Sequence, residues 1–579
     1  MRASCLVRMV RVLSAIESPA AALDGPSDLQ CFRQALLVTI AFFVCYFALF
    51  TPSFQTNDDA EMCLAVLGEV TAVKPDTRIQ FSHNLIGQVL VALGQISASV
   101  NWYGIYLLAS HAVSVFALAL LAFSPSSRPG NKVLFVLYLA VVQIHSLNSL
   151  QFTSTSTLAG TAGLLLILRG DVFRERPSRV AIGASGIALI VLSSMIRWHG
   201  LFLIVACLAP LIVVEFIRHW RAGNRNVFAL LAVSGVLVGS ARYAHTQQVN
   251  SDAEWKAARD QQQAAARLID YKLLRFDEYR HVYASAGWTK TDYHLLNWYV
   301  LSDGDVFSTP VLTKFVEHHK PSSGLIPPGL LAGTAATVVL VCLHPVLLFA
   351  NLLALAACIA WKGNRLPVAL TLAAAFPLSY SILAVTHRCP VWVQYPVLTT
   401  ALAVASVVAP STDKTSSSTP AGRLWCCAAI LIIGAIFVHR GSNQEVIKRN
   451  ATSLGEIKAL STRNEEIYIA PVGFPLLSLP VLTREPGLSD VRIAFLATGQ
   501  LYPWANKLTV DGQPLSIRGL VNSPSAAILI PKEFNGFGPA VVEYLEARFR
   551  MDVELKLLSR GKSFDVVSVV VKESRQQQE

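Results

Sequence analysis

Apolar runs of about 20 residues recur along most of this chain of 579 residues, and a helix of about that length crosses a hydrocarbon core ~30 Å thick. In hydrocarbon the backbone must satisfy its own hydrogen bonds, so a chain of this pattern folds as an α-helical polytopic membrane protein. Composition agrees: 53% of the residues are hydrophobic, 15% are charged and the mean hydropathy is +0.48. A soluble chain carries roughly 25% charged residues, so disorder, collagen, coiled coil and a small disulfide scaffold are excluded. The formal charge of +11 comes from 48 basic and 37 acidic residues. The basic ones gather in short loops between apolar runs, which sets topology and gives no reason to expect a nucleic-acid partner. The cysteines show no CxxC pair and no metal-ligand spacing, and read as small apolar residues of helices.

The positive-inside rule orders these runs. Residues 1–33 carry Arg2, Arg8 and Arg11 and read as a cytoplasmic tail, and residues 34–52 form the first span. The segment from Pro52 to Trp102 is then external, and within it residues 83–95 place Leu85, Ile86, Val89, Leu90 and Leu93 at helical spacing, as in a helix lying at the interface. Further spans are predicted at 103–123, 133–149, 152–169, 180–196, 199–217 and 227–244, with basic loops at 124–132, 169–179 and 218–226 on the inner side. The polar segment 245–323 is external. Later spans are predicted at 327–343, 345–361, 366–386, 391–409 and 424–439, which gives a total of 11–13. Here the two signals conflict. The basic WKGNR at 361–365 belongs inside, whereas two full spans from 327 to 361 would put it outside, so one of the pair is read as re-entrant or half-length. The chain thus divides into the tail 1–33, a membrane domain 34–440 with external loops 53–102 and 245–325, and a small soluble α/β domain 441–579. The alternating stretches EEIYIAPV, VRIAFLAT, AAILIPK and FDVVSVVV around a helical GPAVVEYLEARFR support that last reading.

Carboxylates close to a membrane are costly unless they serve a purpose. Asp58, Asp59 and Glu61 follow the first span, and His83 and Asn84 open the interfacial helix. Trp102, in the NWYG of 101–104, opens the next span, so acids, a histidine and an aromatic residue meet at one surface. The plain alternative is a solvated loop whose acids help to set topology. His83, Arg197, His199 and Arg388 stand near helix ends as cations for a phosphate. For Arg197, beside Trp198 with almost no polar loop around it, interfacial snorkelling is the structural alternative. His111, His145 and His344 lie in apolar runs and are read as structural or packing residues. In the external segment Trp288, Asp292, Tyr293, Trp298 and Asp303 make a surface suited to sugars, with rings for pyranose faces and carboxylates for hydroxyls. The C-terminal domain carries no GxSxG, HExxH, P-loop or Rossmann fingerprint.

The order of first span, external acidic pair, interfacial helix and second span resembles the GT-C class of membrane glycosyltransferases. In that class an acidic pair precedes a His-Pro-Pro-Leu or Lys-Pro-Pro-Leu element. Here Asp58-Asp59 and His83-Asn84-Leu85 take those places, and both prolines are missing. The chain also resembles a set of bacterial membrane proteins sharing NDD, NWY, an Arg at an external helix junction and a GWxxxDY segment, matched by Gly287, Trp288, Asp292 and Tyr293. The resemblance implies a multi-pass protein of the bacterial inner membrane. Its activity would be transfer of a sugar, hexosyl or pentosyl, from a polyprenyl-phosphate donor to a glycan, lipid or cell-wall acceptor at the outer face, among membrane lipids. It makes Asp58 the catalytic base and leaves Asp59 and Glu61 as lesser catalytic candidates. His83, Arg197, His199 and Arg388 would meet the donor phosphate, while Asn84, Trp102 and the external aromatic and acidic residues would bind substrate. Asp58, Asp59 and Glu61 could also hold Mg or Mn, hard cations with oxygen ligands. The resemblance places the C-terminal domain outside, whereas counting 12 spans places it inside. A transporter or flippase of envelope lipids or glycans, and a non-catalytic envelope assembly protein, are the alternative functions.

Overall fold

The structure is a computed structural model that describes residues 27–68, 74–269, 276–301, 303–318, 344–360, 366, 368–375, 378, 391–408, 421–463, 467–471, 474–485, 488–495, 509–510, 513–514, 516–534 and 536–572. The span predicted at 327–343, most of the one at 366–386, the WKGNR loop and Arg388 lie outside these residues. In chain order the helices are α1 (Asp28–Leu49), α2 (Asn57–Leu67), α3 (Asn84–Ile96), α4 (Trp102–Ala122), α5 (Pro129–Asn148), α6 (Phe152–Arg169), α7 (Arg176–Ile196), α8 (Trp198–Arg221), α9 (Asn226–Ser251) and α10 (Ala253–Ile269). They continue with α11 (Arg280–Ser285), α12 (Lys290–Asn297), α13 (Thr309–His318), α14 (Pro345–Ala360), α15 (Val391–Val407), α16 (Ala421–Ala459) and α17 (Phe537–Phe549). Among the described residues six helices, α1, α4, α5, α7, α8 and α9, are long and apolar enough to cross a membrane. The chain is an integral multi-pass membrane protein.

Chain contacts divide the protein into two compact units, one of residues 1–52, 106–244 and 326–445 and the other of residues 53–105, 245–325 and 446–579. In the first, α6 is buried along its whole length although FTSTST makes its first two turns polar. Its hydroxyls fold back onto its own backbone, as Thr155 on the Gln151 carbonyl at 2.9 Å and Thr157 on that of Thr153 at 3.0 Å, so they enter an apolar interior already satisfied. Gly163 of α6 and Gly186 of α7 are each so close to the other's carbonyl that an added Cβ would stand 2.8–2.9 Å from it. Small residues of this kind let membrane helices approach closely. In α5, residues Leu139–Gln143 form a π-turn, where the i→i+4 ladder gives way to i→i+5.

The second unit joins the two polar segments to the C-terminal domain. Its sheet has the order β2-β1-β5-β7-β6, built from β1 (Ile467–Ala470), β2 (Ile493–Phe495), β5 (Ala526–Pro531), β6 (Val553–Arg560) and β7 (Phe564–Val571). A short hairpin, β3 (Thr509–Val510) with β4 (Gln513–Pro514), lies apart from it. β1 pairs in parallel with β2 and β5, while β7 runs antiparallel to β5 and β6. Four of the five sheet strands and α17 fall on the alternating and helical stretches of the sequence, and this is the small C-terminal α/β domain. β6, VELKLLSR, is not among those stretches, because its mixed exposure hides the period of two. A second difference concerns α16, which continues without a break to Ala459, 39 residues in all, although the sequence suggests an end near Arg440. One hydrophobic core contains Trp288, Leu295, Leu301 and Phe315 of the segment 245–325 together with Ile469, Ile528, Tyr544 and Val567 of the C-terminal domain.

The segment 53–105 is fastened to the same domain. The Asn101 amide group donates to the Pro480 carbonyl at 2.8 Å, its backbone N–H donates to Leu482 at 3.2 Å, and Val100 bridges Thr483 antiparallel. Segments with a shared core stand on one face of a bilayer, because a sheet edge or a loop carried through hydrocarbon would lose its backbone partners. The C-terminal domain is therefore expected on the same side as both polar loops. Counting five full spans between those loops and the domain would separate them. A topology reporter fused at residue 460 is expected to report the same side as one at residue 260, and opposite sides would refute this reading.

Candidate functional site

α2 begins at Asn57 immediately after an extended stretch, and its first turn carries Asp58 and Asp59, where the N-terminal end of the helix dipole favours negative charge. At ~100° per residue, Asp58 and Glu61 fall on one face and Asp59 on another. The surroundings then separate them. Asp59 is fully buried and accepts hydrogen bonds from the Thr56 hydroxyl at 2.7 Å and the Tyr103 hydroxyl at 3.0 Å. Glu61 is 3% exposed, and its Oε2 has no hydrogen-bond partner among the described residues. Burial first, and the charge of Asp58 second, push its carboxyl well above the usual carboxylate range, which favours the protonated form. Asp58 is half-buried. Three adjacent acids thus have three roles open to them: a base, a braced carboxylate and a protonated acid.

Two residues of NWYG, Asn101 and Tyr103, meet this helix, and the other two pack beside them. The Asn101 carbonyl oxygen accepts from the Gly104 N–H at 3.1 Å and from the Cys63 thiol of α2 at 3.3 Å. The Trp102 indole donates to the Ser97 carbonyl at 3.0 Å, Tyr103 holds Asp59, and Gly104 meets the Val481 carbonyl so closely that a Cβ would stand 1.9 Å from it. The sequence singles out Trp102 as the functional member of the motif. Asn101 and Tyr103 escape such a reading, and their only signal is their place within the motif.

His83 caps α3, its Nδ1 accepting from the Leu85 N–H at 3.1 Å. The His245 ring lies 5.1 Å away, tilted by 38°, and its Nδ1 takes the Asn84 N–H at 3.4 Å. His245 carries no signal in the sequence, since it lies at the end of α9 more than 160 residues from its partner. Asn84 is 3% exposed, and its Oδ1 is without a partner among the described residues. Along α3, Ile86 and Leu90 are buried while Leu85, Val89 and Ile96 are exposed, so the helix keeps a free apolar face as an interfacial helix must. Nearby, Arg78 clamps Asp76 at 2.8 Å and Asp252 at 3.1 Å.

Arg197 and His199 belong to the other unit, and His199 is exposed. Arg197 caps α8, donates to the Thr153 hydroxyl at 2.6 Å and lies 4.6 Å over the Phe152 ring, at the first turn of α6. A guanidinium at a helix N-terminus adds positive charge to positive dipole, an arrangement that suits an anion. A buried chain supports that turn. The Gln143 amide donates to His111 Nδ1 at 2.5 Å, His111 Nε2 meets Thr155 at 3.0 Å, and Thr155 donates to the Gln151 carbonyl. The Gln151 side chain in turn accepts from the Thr153 and Ser154 amides. His111 is thus a structural residue, a polar bridge between Gln143 and Thr155.

Two expectations are corrected. Trp288, Asp292 and Asp303 point into the core of their unit. The Trp288 indole donates to the Val306 carbonyl at 3.2 Å, and Asp292 closes a capping box with Thr289 on α12. Asp303 accepts from the Tyr544 hydroxyl at 2.6 Å and the Ile517 amide at 3.1 Å. All three are at most 8% exposed, and they hold the polar segment to the C-terminal domain instead of offering a surface to sugar. Tyr293 and Trp298 remain half-exposed, with Trp298 against Phe534 and Phe537. Nor do the acids of α2 fit Mg or Mn: among the described residues no three His, Cys, Asp or Glu side chains are grouped to hold a metal ion, since Asp59 turns away from the other two.

Two outcomes follow from this geometry. Tyr103→Phe removes a donor from the buried Asp59 and is expected to destabilise the protein by about 1–3 kcal/mol, read as a lower melting temperature in detergent. A raised carboxyl is protonated more readily in the folded state, so stability is full below the unfolded value near 4.5 and falls as pH rises towards the folded value. Glu61→Gln should flatten that decline in melting temperature between pH 5 and 8, and an unchanged slope would show that Glu61 is already ionised.

No family model and no curated protein matches the chain. Among solved structures it is similar to ArnT from Cupriavidus metallidurans, in a crystal structure bound to undecaprenyl phosphate, with 10% identity and a TM-score of 0.39. It is also similar to the apo crystal structure of ArnT from the same organism, with 12% identity and a TM-score of 0.37. Each alignment covers 92% of this chain and 97% of the other.

Proposed function

We propose that the chain is a glycosyltransferase of the GT-C kind that moves one sugar from a polyprenyl-phosphate donor to a glycan, lipid or cell-wall acceptor on the outer face of a bacterial inner membrane. The observation that carries this reading is the separation of the acids on α2. Asp58 is half-exposed beside the N-terminal end of a helix, while burial pushes the Glu61 carboxyl up towards its protonated form and Asp59 is held by Thr56 and Tyr103. Asp58 takes the proton of the acceptor hydroxyl as its oxygen forms a bond to the anomeric carbon. The bond from that carbon to the phosphate oxygen breaks, and the electron pair leaves with the polyprenyl phosphate. Phosphate is a good leaving group, so cations can stabilise it without a general acid. His83, Arg197, His199 and Arg388 are the proposed cations, and Arg197 has the strongest physical basis, as a guanidinium fork at the start of α6. Asn84 and Trp102 keep a proposed role at the substrate, together with Tyr293 and Trp298. The domain 441–579 is proposed to stand outside with the loops 53–102 and 245–325, where it would shape acceptor recognition.

The test is transfer of labelled sugar from a panel of polyprenyl-phosphate sugars by membranes holding equal amounts of wild type, Asp58→Asn or Asp59→Asn. Asp58→Asn keeps size and removes the base, so a loss of about 10²–10⁴-fold is expected, with a measurable rate left in Asp59→Asn. Equal transfer by wild type and Asp58→Asn would remove Asp58 from the chemistry, and full biological function without Asp58 would favour a non-catalytic assembly protein.

A further inference from the structure

Three histidines that the proposed reaction does not use meet in the membrane unit. His145 of α5 has the ring of His344 at 5.6 Å, that of His439 of α16 at 5.9 Å and that of Tyr395 of α15 at 4.6 Å. They come from different parts of the chain, since His344 immediately precedes α14. The π-turn at Leu139–Gln143 scaffolds the group: the carbonyl of Val141 accepts from His439 Nε2 at 3.1 Å, and that of Val142 accepts from the Tyr395 hydroxyl at 3.3 Å. π-Turns recur at functional sites because they turn carbonyls out of the helical ladder.

The hydrogen bonding of the group is incomplete. His344 Nδ1 is buried and has no hydrogen-bond partner among the described residues, a state that ordinarily costs stability. The half-exposed His145 ring makes no hydrogen bond among the described residues. His439 gives Nε2–H to a carbonyl, which leaves Nδ1 as the atom that can take up a proton. No carboxylate pairs with any of the three among the described residues, and no three ligands are grouped for a metal ion. Imidazole nitrogens grouped in this way, with no carboxylate beside them among the described residues, suit the oxygens of an anion.

Its position narrows the choice. His145 stands one turn before Asn148, whose side chain accepts from the Tyr46 hydroxyl at 3.1 Å, and His439 stands one turn before Asn443, whose amide donates to the Thr51 carbonyl at 2.8 Å. Tyr46 and Thr51 mark the end of α1, so the cluster lies at the end of the bundle where the first span finishes. There a ligand with a hydrocarbon tail and a charged head can place each part in its own medium.

We propose that His145, His344 and His439 form a binding site for a phosphate monoester at that end of the bundle. The phosphate oxygens accept from the imidazoles and hold protons on them, and such charge-assisted bonds are about twice as strong as neutral ones. A lipid-linked phosphate as the natural ligand rests on the glycosyltransferase reading, whereas phosphate binding by the cluster does not.

The test is calorimetric titration of the purified full chain in nanodiscs with a short-chain polyprenyl monophosphate and, separately, with inorganic phosphate. The proteins are the wild type, His145→Gln, the triple variant with Gln at 145, 344 and 439, and Arg197→Gln. The expected result is at least about tenfold weaker binding in the triple variant and a smaller loss in His145→Gln, with the cluster's binding event kept in Arg197→Gln. Binding of the prenyl phosphate alone assigns a lipid ligand, and binding of inorganic phosphate as well assigns the phosphate group itself. Equal affinities in wild type and His145→Gln overturn the proposal, as does a wild type that binds neither probe. His145→Gln, at the half-exposed centre, keeps the test valid if the triple variant does not fold. Failure of sugar transfer alongside histidine-dependent phosphate binding would refute the enzyme reading and leave this site standing.

Discussion

Every polar group on α6 has to find its partner inside the protein, and much of the membrane unit follows from how it does so. A helix buried from Phe152 to Arg169 has no water to complete its hydroxyls. An unmade hydrogen bond in such surroundings costs more than a made one gains. The threonines therefore bond back along the helix, Ser156 turns to the Ser193 and Arg197 carbonyls of the neighbouring chain segment, and Gln151 closes the first turn. At the far end Arg169 meets Glu215 at 2.9 Å, a pair nearly closed to water, and Arg218 reaches the same carboxylate. Removing either partner of such a pair would leave a buried charge exposed to the full desolvation penalty. Arg197 is consequently a fixed part of the architecture as well as a cation.

The same rule governs the acids. A buried carboxylate is kept ionised by donors, and one without donors takes up a proton. Asp59 and Glu61 lie two residues apart and meet different surroundings, because Tyr103 and Thr56 donate to one and no donor among the described residues reaches Oε2 of the other, whose carboxyl burial pushes up. Side chains of identical chemistry are thus differentiated by neighbours supplied from a distant turn.

The span positions were legible because an unbroken apolar run of about 20 residues has few ways to fold except as a helix in hydrocarbon. α1, α4, α5, α7, α8 and α9 fall where the runs do, and the positive-inside loops order them. The acid cluster and the helix begun by His83 were legible as neighbours in sequence. The partners of those residues were not. Tyr103 with Asp59, His245 with His83 and Asn101 with Pro480 are joined only by folding, and periodicity does not encode such pairs. The aromatic and acidic stretch after Gly287 was legible in composition but ambiguous in meaning, since rings and carboxylates that could bind a sugar can equally bind one another. Tyr544 and Ile517, more than 200 residues away, decide the case of Asp303. The edge strand β6 was lost for the opposite reason, as solvent on both of its faces removes the alternation that marks a strand.

The bond from Asn101 to Pro480 spans 379 residues and has a consequence for how the protein is made. At ~5–20 residues per second a ribosome needs roughly 20–75 s to traverse that interval. Throughout it the acidic helix exists without the turn that receives Gly104 or the sheet that completes its neighbours. The early loops must therefore persist as an unfinished half of a domain until the last strands emerge. A truncated product stopped by a late nonsense codon would carry every apolar stretch and still expose an open core, a form suited to recognition by membrane-associated proteases.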